Sequence, residues 1–304
     1  SFKESLHVTP RPEYWPRPHN TQKKLIQDLI PINVKIENRK YRAENYSIKL
    51  YSIGAHYENH GKALPFNIDD YIARHLATRL SEEICCDYIG HLPYCGDREG
   101  NNAKDWNPGV MEKEVVINGI ISDIKNDLSK RKNLRLSPST CIVIVSGHGG
   151  NNFLVEEQEK IGRLINRPFL YLPPFDKISI KHRKFGKLEI THADHAEHSV
   201  ADFLGLLDKE KLQKINNLAK KDPIKALKEN PAIMGLGGYV LPEIGGEKYQ
   251  SLRMRHPELV KMAKKFVHSD KKIIVDKNAG ELLIKKAIIK AKKRIRSFIK
   301  VNDL

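Results

Sequence analysis

The chain has no apolar run approaching the roughly 20 residues that a helix needs to cross a bilayer. Its opening stretch, SFKESLHVTPRPEYWPRPHN, lacks the apolar core of a secretory signal. Both absences lead us to expect a soluble, cytoplasmic protein with no membrane partner. Four cysteines in 304 residues, Cys85, Cys86, Cys95 and Cys141, are too few and too unevenly spread for a disulfide framework. Cys85, Cys86, His91 and Cys95 together match no standard zinc spacing. No internal repeat or low-complexity segment is evident. The glycine-rich stretch SGHGGNN has neither the G-x-G-x-x-G spacing of a dinucleotide loop nor the Lys-Ser/Thr ending of a P-loop.

Positive charge is abundant: the formal net charge is +16. A basic surface can bind nucleic acid without regard to sequence, but here the basic residues are scattered. They are densest near the end, where Ile284, Ile288, Ala291, Ile295 and Phe298 recur at helical spacing with lysines and arginines on the remaining face. A docked helix with a solvated basic side is the favoured reading, and a nucleic-acid arm the disfavoured one. An anionic substrate would also suit such a charge.

The organisation reads as a proline-rich arm within residues 1–45, including a short helix at 21–30, followed by one domain over 46–304. The alternation predicts a strand over 46–53 with no cleanly polar face, then a helix over 70–84 carrying Ile72, Leu76, Leu80 and Ile84. Residues 87–111 read as a long loop, a length often associated with function. A helix over 115–128, the buried strand CIVIV, the glycine-rich stretch and another helix follow. Strands alternating with helices predict a three-layer α/β/α architecture around a mostly parallel sheet.

In such folds chemistry collects at the carboxyl ends of strands. Three segments stand there. Glu58 and His60, two apart, point the same way in extended backbone, with Asp69 at the start of the next helix. His148 sits among Gly147, Gly149 and Gly150, where little side-chain bulk blocks a ligand. LEITHADHAEHSV gathers His192, His195, Glu197 and His198 at a further strand-to-helix junction. Each has an ordinary explanation alone, such as a helix cap at Asp69 or Asp70. Together they supply the carboxylates and imidazoles that hold Zn²⁺, Mn²⁺ or Fe²⁺.

These segments resemble the creatininase (creatinine amidohydrolase) family. Its Glu-x-His-Gly segment, Leu-Pro step and following Asp are matched by Glu58, His60, Gly61, Leu64, Pro65 and Asp69. Its Gly-His-Gly-Gly-Asn loop is matched by residues 147–151, and its His-Ala-Gly-Glu-x-Glu-Thr-Ser segment in part by His192, Ala193, Glu197 and Ser199. Pro108 and Gly109 resemble a Pro-Gly step in the family's active-site loop. The GHGGN form of the loop is similar to the archaeal branch that hydrolyses the formamide of a formylamino-pyrimidine ribonucleotide.

The resemblance implies a hydrolase of a non-peptide C–N bond (amide, formamide or cyclic amide) that uses two divalent ions, Zn, Mn or Fe, roughly 4 Å apart to activate a water. It implies that Glu58, Asp69 and His148 hold one ion, that His60, Asp69 and Glu197 hold the other, and that His192 handles a proton or the oxyanion. It further implies substrate contacts from Gly149, Gly150 and Asn151, and a homo-oligomer, with a hexamer favoured. Gly150 stands where creatininase has a Glu, so Glu197 would supply that carboxylate. Asp194, His195 and His198 stand where the family has Gly, Glu and Thr. The competing readings are hydrolysis of another small cyclic substrate, a metal-binding protein without turnover, and a nucleic-acid-binding module.

Overall fold

A computed structural model describes residues 48–130, 140–184 and 186–302. The expected arm over 1–45, its short helix and the first two residues of the expected 46–53 strand lie outside the described residues. The main sheet is β1 (Ile48–Ile53), β2 (Asp87–Leu92), β3 (Cys141–Ser146) and β4 (Phe169–Leu172), in the order β2-β1-β3-β4 with every pairing parallel. β1 therefore has neighbours on both edges and helices on both faces. That is why neither of its faces reads as polar: even Lys49 is buried, with its ammonium carried to Asp87 at the rim.

Between and after these strands run α1 (Ile68–Ile84), α2 (Lys113–Lys130), α3 (Leu154–Ile165) and α4 (His195–Phe203). On one face Leu50, Val143, Val145, Leu170 and Leu172 pack against Ile68, Ile72, Leu76 and Leu80 of α1 and against Val200 of α4. On the other, Tyr51, Ile53, Ile142, Ile144 and Tyr171 meet Val116, Ile120 and Ile124 of α2 and Leu154 and Ile161 of α3. These are the three expected layers. A third apolar cluster lies among α5 (Lys209–Lys221), α6 (Pro223–Glu229), α7 (Ile233–Val240) and α8 (Pro257–Lys265), around Leu212, Ile215, Leu227 and Ile233. The final helix, α9 (Lys277–Val301), buries Ile284, Ile288 and Ile295 in the α1/α4 layer. No helix among the described residues is long and apolar enough to cross a membrane.

Two expectations are corrected. The stretch 87–111 is not one loop: it opens with β2 and includes a 3-10 turn, Gly100–Asp105. As an edge strand, DYIGHL is fully buried only at Leu92, so it lacks the apolar run that marks β3. The strand that leads towards His192 belongs to a separate antiparallel hairpin, β5 (Ser179–His182) and β6 (Gly186–Glu189), rather than to the main sheet.

Candidate metal centre

Three loops converge beyond the carboxyl ends of β1 and β3. The β1 loop carries Glu58 and His60 and turns at Gly61, whose φ of +83° suits only glycine at low cost. The β3 loop is tied to β1 by the Gly147 N–H, which donates to the Ile53 carbonyl at 2.9 Å. A Cβ on Gly147 would stand 2.0 Å from the Asp69 carbonyl oxygen, so glycine here lets the first turn of α1 close onto β3. That turn presents Asp69 and Asp70 where the helix dipole favours negative charge. Glu197 comes from the first turn of α4. The helix is capped by Asp194, whose carboxylate accepts from the N–H groups of Ala196 (2.9 Å), Glu197 (2.8 Å) and Thr191 (3.0 Å). The departure from the family's glycine at this position is thus a cap.

The structure brings together all five expected ligand residues, Glu58, His60, Asp69, His148 and Glu197, each at most 4 % exposed. Asp69 is central. Its Oδ2 lies 2.9 Å from His148 Nδ1 and its Oδ1 lies 3.4 Å from His60 Nε2. His148 Nδ1 is also 2.8 Å from Glu58 Oε2, and His60 Nε2 is 3.7 Å from Glu197 Oε1. Ligand atoms of Glu58, Asp69 and His148 lie within 4.8 Å of one another, as do those of His60, Asp69 and Glu197. His192 adds a nitrogen, with Nδ1 3.4 Å from Glu58 Oε1 and its ring stacked on His60 at 4.2 Å between centroids.

The outer nitrogen of each imidazole is anchored. His60 Nδ1 donates to the Glu58 carbonyl (3.1 Å), His148 Nε2 to the Gly96 carbonyl (3.2 Å) and His192 Nε2 to the Asn59 carbonyl (2.8 Å). A carbonyl oxygen only accepts, so each outer nitrogen carries the hydrogen and the inner nitrogen faces carboxylates. Outer-shell anchoring of this kind is typical of metal-ligating histidines. Glu58 Oε2, despite its proximity to His148, is buried without a hydrogen-bond donor. A buried acceptor with no donor, inside a ring of carboxylates and imidazoles, fits a cation.

The electrostatics agree. Burial pushes Glu58 up to about 7 and Glu197 up to about 8, against the pull of His148 and His60 respectively. Burial would lower His60, but Glu197 and Asp69 outweigh it and lift the imidazole to about 10. Likewise burial is overcome at His148, raised by Glu58, and at Asp69, held well below the usual carboxylate range by His60 and His148. Three buried carboxylates thus share two imidazoles held in the charged form, and two of the carboxylates are pushed towards neutrality. His192 is instead held well below its usual value, first by burial and then by His60, and so stays neutral.

Other expected residues serve elsewhere. His195 contacts Asp270 at 3.4 Å and accepts from the Ile274 N–H at 3.1 Å, and His198 Nδ1 donates to the Asp194 carbonyl at 2.8 Å. Asn151 is fully buried with both ends of its amide on backbone: its Oδ1 accepts from Gly96 N and its Nδ2 donates to the Gly54 carbonyl. Asn152, Gly149 and Gly150 line the adjoining cavity of about 450 Å³, and Asn151 does not. At Gly150 a Cβ would meet His148 Nε2 at 2.2 Å and Asp97 Oδ2 at 2.8 Å.

Two features escape sequence reasoning. Asp97 borders the cavity 4.0 Å from His148 Nε2, in a stretch read as a long loop in which it was not singled out. Met234, Gly235 and Leu236 form a left-handed turn, φ of 55°, 70° and 60°. The N–H groups of Met234 and Gly235 grip the carbonyls of Ala193 (3.0 Å) and His192 (2.8 Å). Only the glycines of IMGLGG hinted at it.

No protein-family model matches the chain. Among curated relatives it is 25 % identical over 207 residues to the 2-amino-5-formylamino-6-ribosylaminopyrimidin-4(3H)-one 5'-monophosphate deformylase of Methanosphaera stadtmanae, covering 66 % of this chain and 81 % of that one. It is 29 % identical over 178 residues to the protein of the same name from Methanobrevibacter ruminantium, covering 57 % of this chain and 65 % of that one. The Methanocaldococcus infernus protein of that name is 25 % identical over 265 residues, 87 % of this chain and 96 % of that one. Among solved structures, a mutant creatininase superposes with a TM-score of 0.49 at 16 % identity, covering 83 % of this chain and 91 % of that one. The chain is thus similar to the archaeal deformylases over most of its described length, and its motif segments resemble those of the creatininase family.

Proposed function

We propose that the chain is a metal-dependent hydrolase of a non-peptide C–N bond, and that its substrate is a formamide on a formylamino-pyrimidine ribonucleotide. The observation that carries the hydrolase reading is the position of Asp69, whose two oxygens face the imidazoles of two different ligand groups. Glu58, Asp69 and His148 would hold one divalent ion, and His60, Asp69 and Glu197 the other. When bound, such a pair acidifies a water and polarises the carbonyl that it attacks.

The chain's own residues do the rest. Glu197 Oε2 accepts the Ala193 N–H at 2.5 Å, which holds the carboxylate while Oε1 faces His60. His192 is neutral, its hydrogen is committed to Asn59, and its free Nδ1 faces the centre. It is therefore equipped to take a proton there and return it to the departing amine. The cavity of about 450 Å³ falls within the roughly 300–1,000 Å³ of small-molecule sites. The substrate itself is proposed on kinship to the archaeal relatives.

Part of the basic surface of the last helix is taken up by the fold itself. Lysines of α9 are engaged within the fold: Lys285 pairs with Glu281 at 2.7 Å, Lys292 with Glu83 at 2.6 Å, Lys286 donates to the Ser179 carbonyl at 2.9 Å, and Lys290 meets Asp176.

The test is a metal-stripped sample reloaded with Zn²⁺, Mn²⁺ or Fe²⁺ and assayed against formamides, lactams and cyclic amides. Formate release restored by reloading is expected. A fully loaded protein that cleaves none of them overturns the proposal.

A further inference from the structure

A second cluster of metal-ligating side chains shares no residue with the Asp69 centre. Asp70, the next residue of α1, turns away from that centre. Its Oδ1 lies 2.9 Å from His91 Nε2, and its Oδ2 meets His56 Nδ1. The ligand atoms of His56, Asp70 and His91 lie within 4.8 Å of one another. We propose that His56, Asp70 and His91 form a separate site for one divalent transition-metal ion.

Four observations carry this. The three ligands come from three elements: the β1 loop, the first turn of α1 and the edge strand β2. The outer nitrogen of His91 is engaged, with Nδ1 2.8 Å from Ser52 Oγ, which in turn lies 2.6 Å from the Tyr88 hydroxyl. Ser52 and His91 are direct partners in the β1/β2 register, so this brace is set by strand pairing. It repeats the outer-shell anchoring seen on His60, His148 and His192. The site also has a way in: the side chains of Asp70 and His91 are 5 % and 4 % exposed, but that of His56 is 36 % exposed. Lastly, Gly54 makes room, because a Cβ there would stand 2.5 Å from Asp70 Oδ1.

The chemistry selects the ion class. Two imidazoles and one carboxylate suit Zn²⁺, Fe²⁺, Co²⁺ or Ni²⁺, with water completing the coordination. Mg²⁺ and Ca²⁺ prefer oxygen ligands, which this site supplies in one carboxylate only. An ion here ties the β1 loop to β2 and to the start of α1.

The proposal does not rest on the hydrolase reading, and the test separates them. The full chain is stripped with a chelator and reloaded with Co²⁺ or Zn²⁺, and bound metal is counted in the wild type and in His56→Ala/His91→Asn. Loss of one equivalent relative to the wild type is expected, together with loss of the corresponding component of the Co²⁺ visible spectrum. The same double substitution in an Asp69→Ala background should again remove one equivalent. Equal metal content with and without His56 and His91 overturns the proposal. Wild-type crystals soaked in Co²⁺ give a second reading that does not depend on the double variant folding: an anomalous peak bonded to all three residues supports the site, and no peak there overturns it.

Discussion

Asp69 and Asp70 are neighbours in the chain with different surroundings. Asp69 faces Glu58, His60, His148 and Glu197 at the edge of a cavity, while Asp70 faces two imidazoles, one of them partly exposed to solvent. Successive residues on a helix point about 100° apart, so one helix start serves two clusters. Both carboxylates are buried, yet both stay below the usual carboxylate range, because the histidines outweigh burial in each place. What separates them is the company of further carboxylates. Around Asp69 two further buried carboxylates, Glu58 and Glu197, share the imidazoles, and at Asp70 one acid meets two imidazoles.

The most drastic way to break this comparison is Asp69→Ala. As the shared member of both ligand groups, Asp69 should take both ions of its centre with it, and turnover should fall to background. Elemental analysis together with a turnover assay checks this; two ions still bound at that centre would mean that Asp69 does not bridge.

A smaller effect is expected from His192→Asn, which sharpens the division of labour inside the centre. Its Nδ1 is close enough to Glu58 and His60 to form a ligand group with them, so geometry alone admits either a ligand or a proton carrier. As a proton carrier, its loss should leave both ions in place and reduce turnover by about 10² to 10⁴-fold. An ion lost together with activity would make it a ligand instead.

The smallest effect concerns a histidine outside both clusters. His75 on α1, edge-on to Phe203, is pushed by burial, and secondarily by Arg79, from 6.5 down to about 4. Between those values the unfolded chain binds a proton that the fold refuses, so stability falls as pH drops through that window. His75→Leu should therefore flatten the loss of stability between about pH 7 and pH 5 in urea melts. An unchanged slope would assign the acid sensitivity to other groups.

Much of the fold was readable because burial leaves a trace in composition. CIVIV, flanked by turn residues, reads as an inner strand, and the apolar repeat from Ile72 to Ile84 reads as α1. β2 was missed because an edge strand needs no apolar run. The role of Asp194 was also hidden: an Asp three residues before Glu197 reads equally as ligand, surface acid or cap, and only its hydrogen bonds make it the cap of α4.

By itself the sequence determined that carboxylates and imidazoles gather in three segments at strand ends, and its resemblance to a known family singled out Glu58, His60, Asp69, His148 and Glu197 as expected ligands and His192 as the expected proton or oxyanion residue. Only the tertiary structure decided which nitrogen of each histidine faces inward, that Asn151 braces loops while Asn152 meets the cavity, and that Asp70 joins residues 14 and 21 positions away. The physical reason is that a ligand's type is a property of one side chain, whereas its partner and orientation are set by neighbours from distant parts of the chain, brought close by the packing of the sheet and its helices.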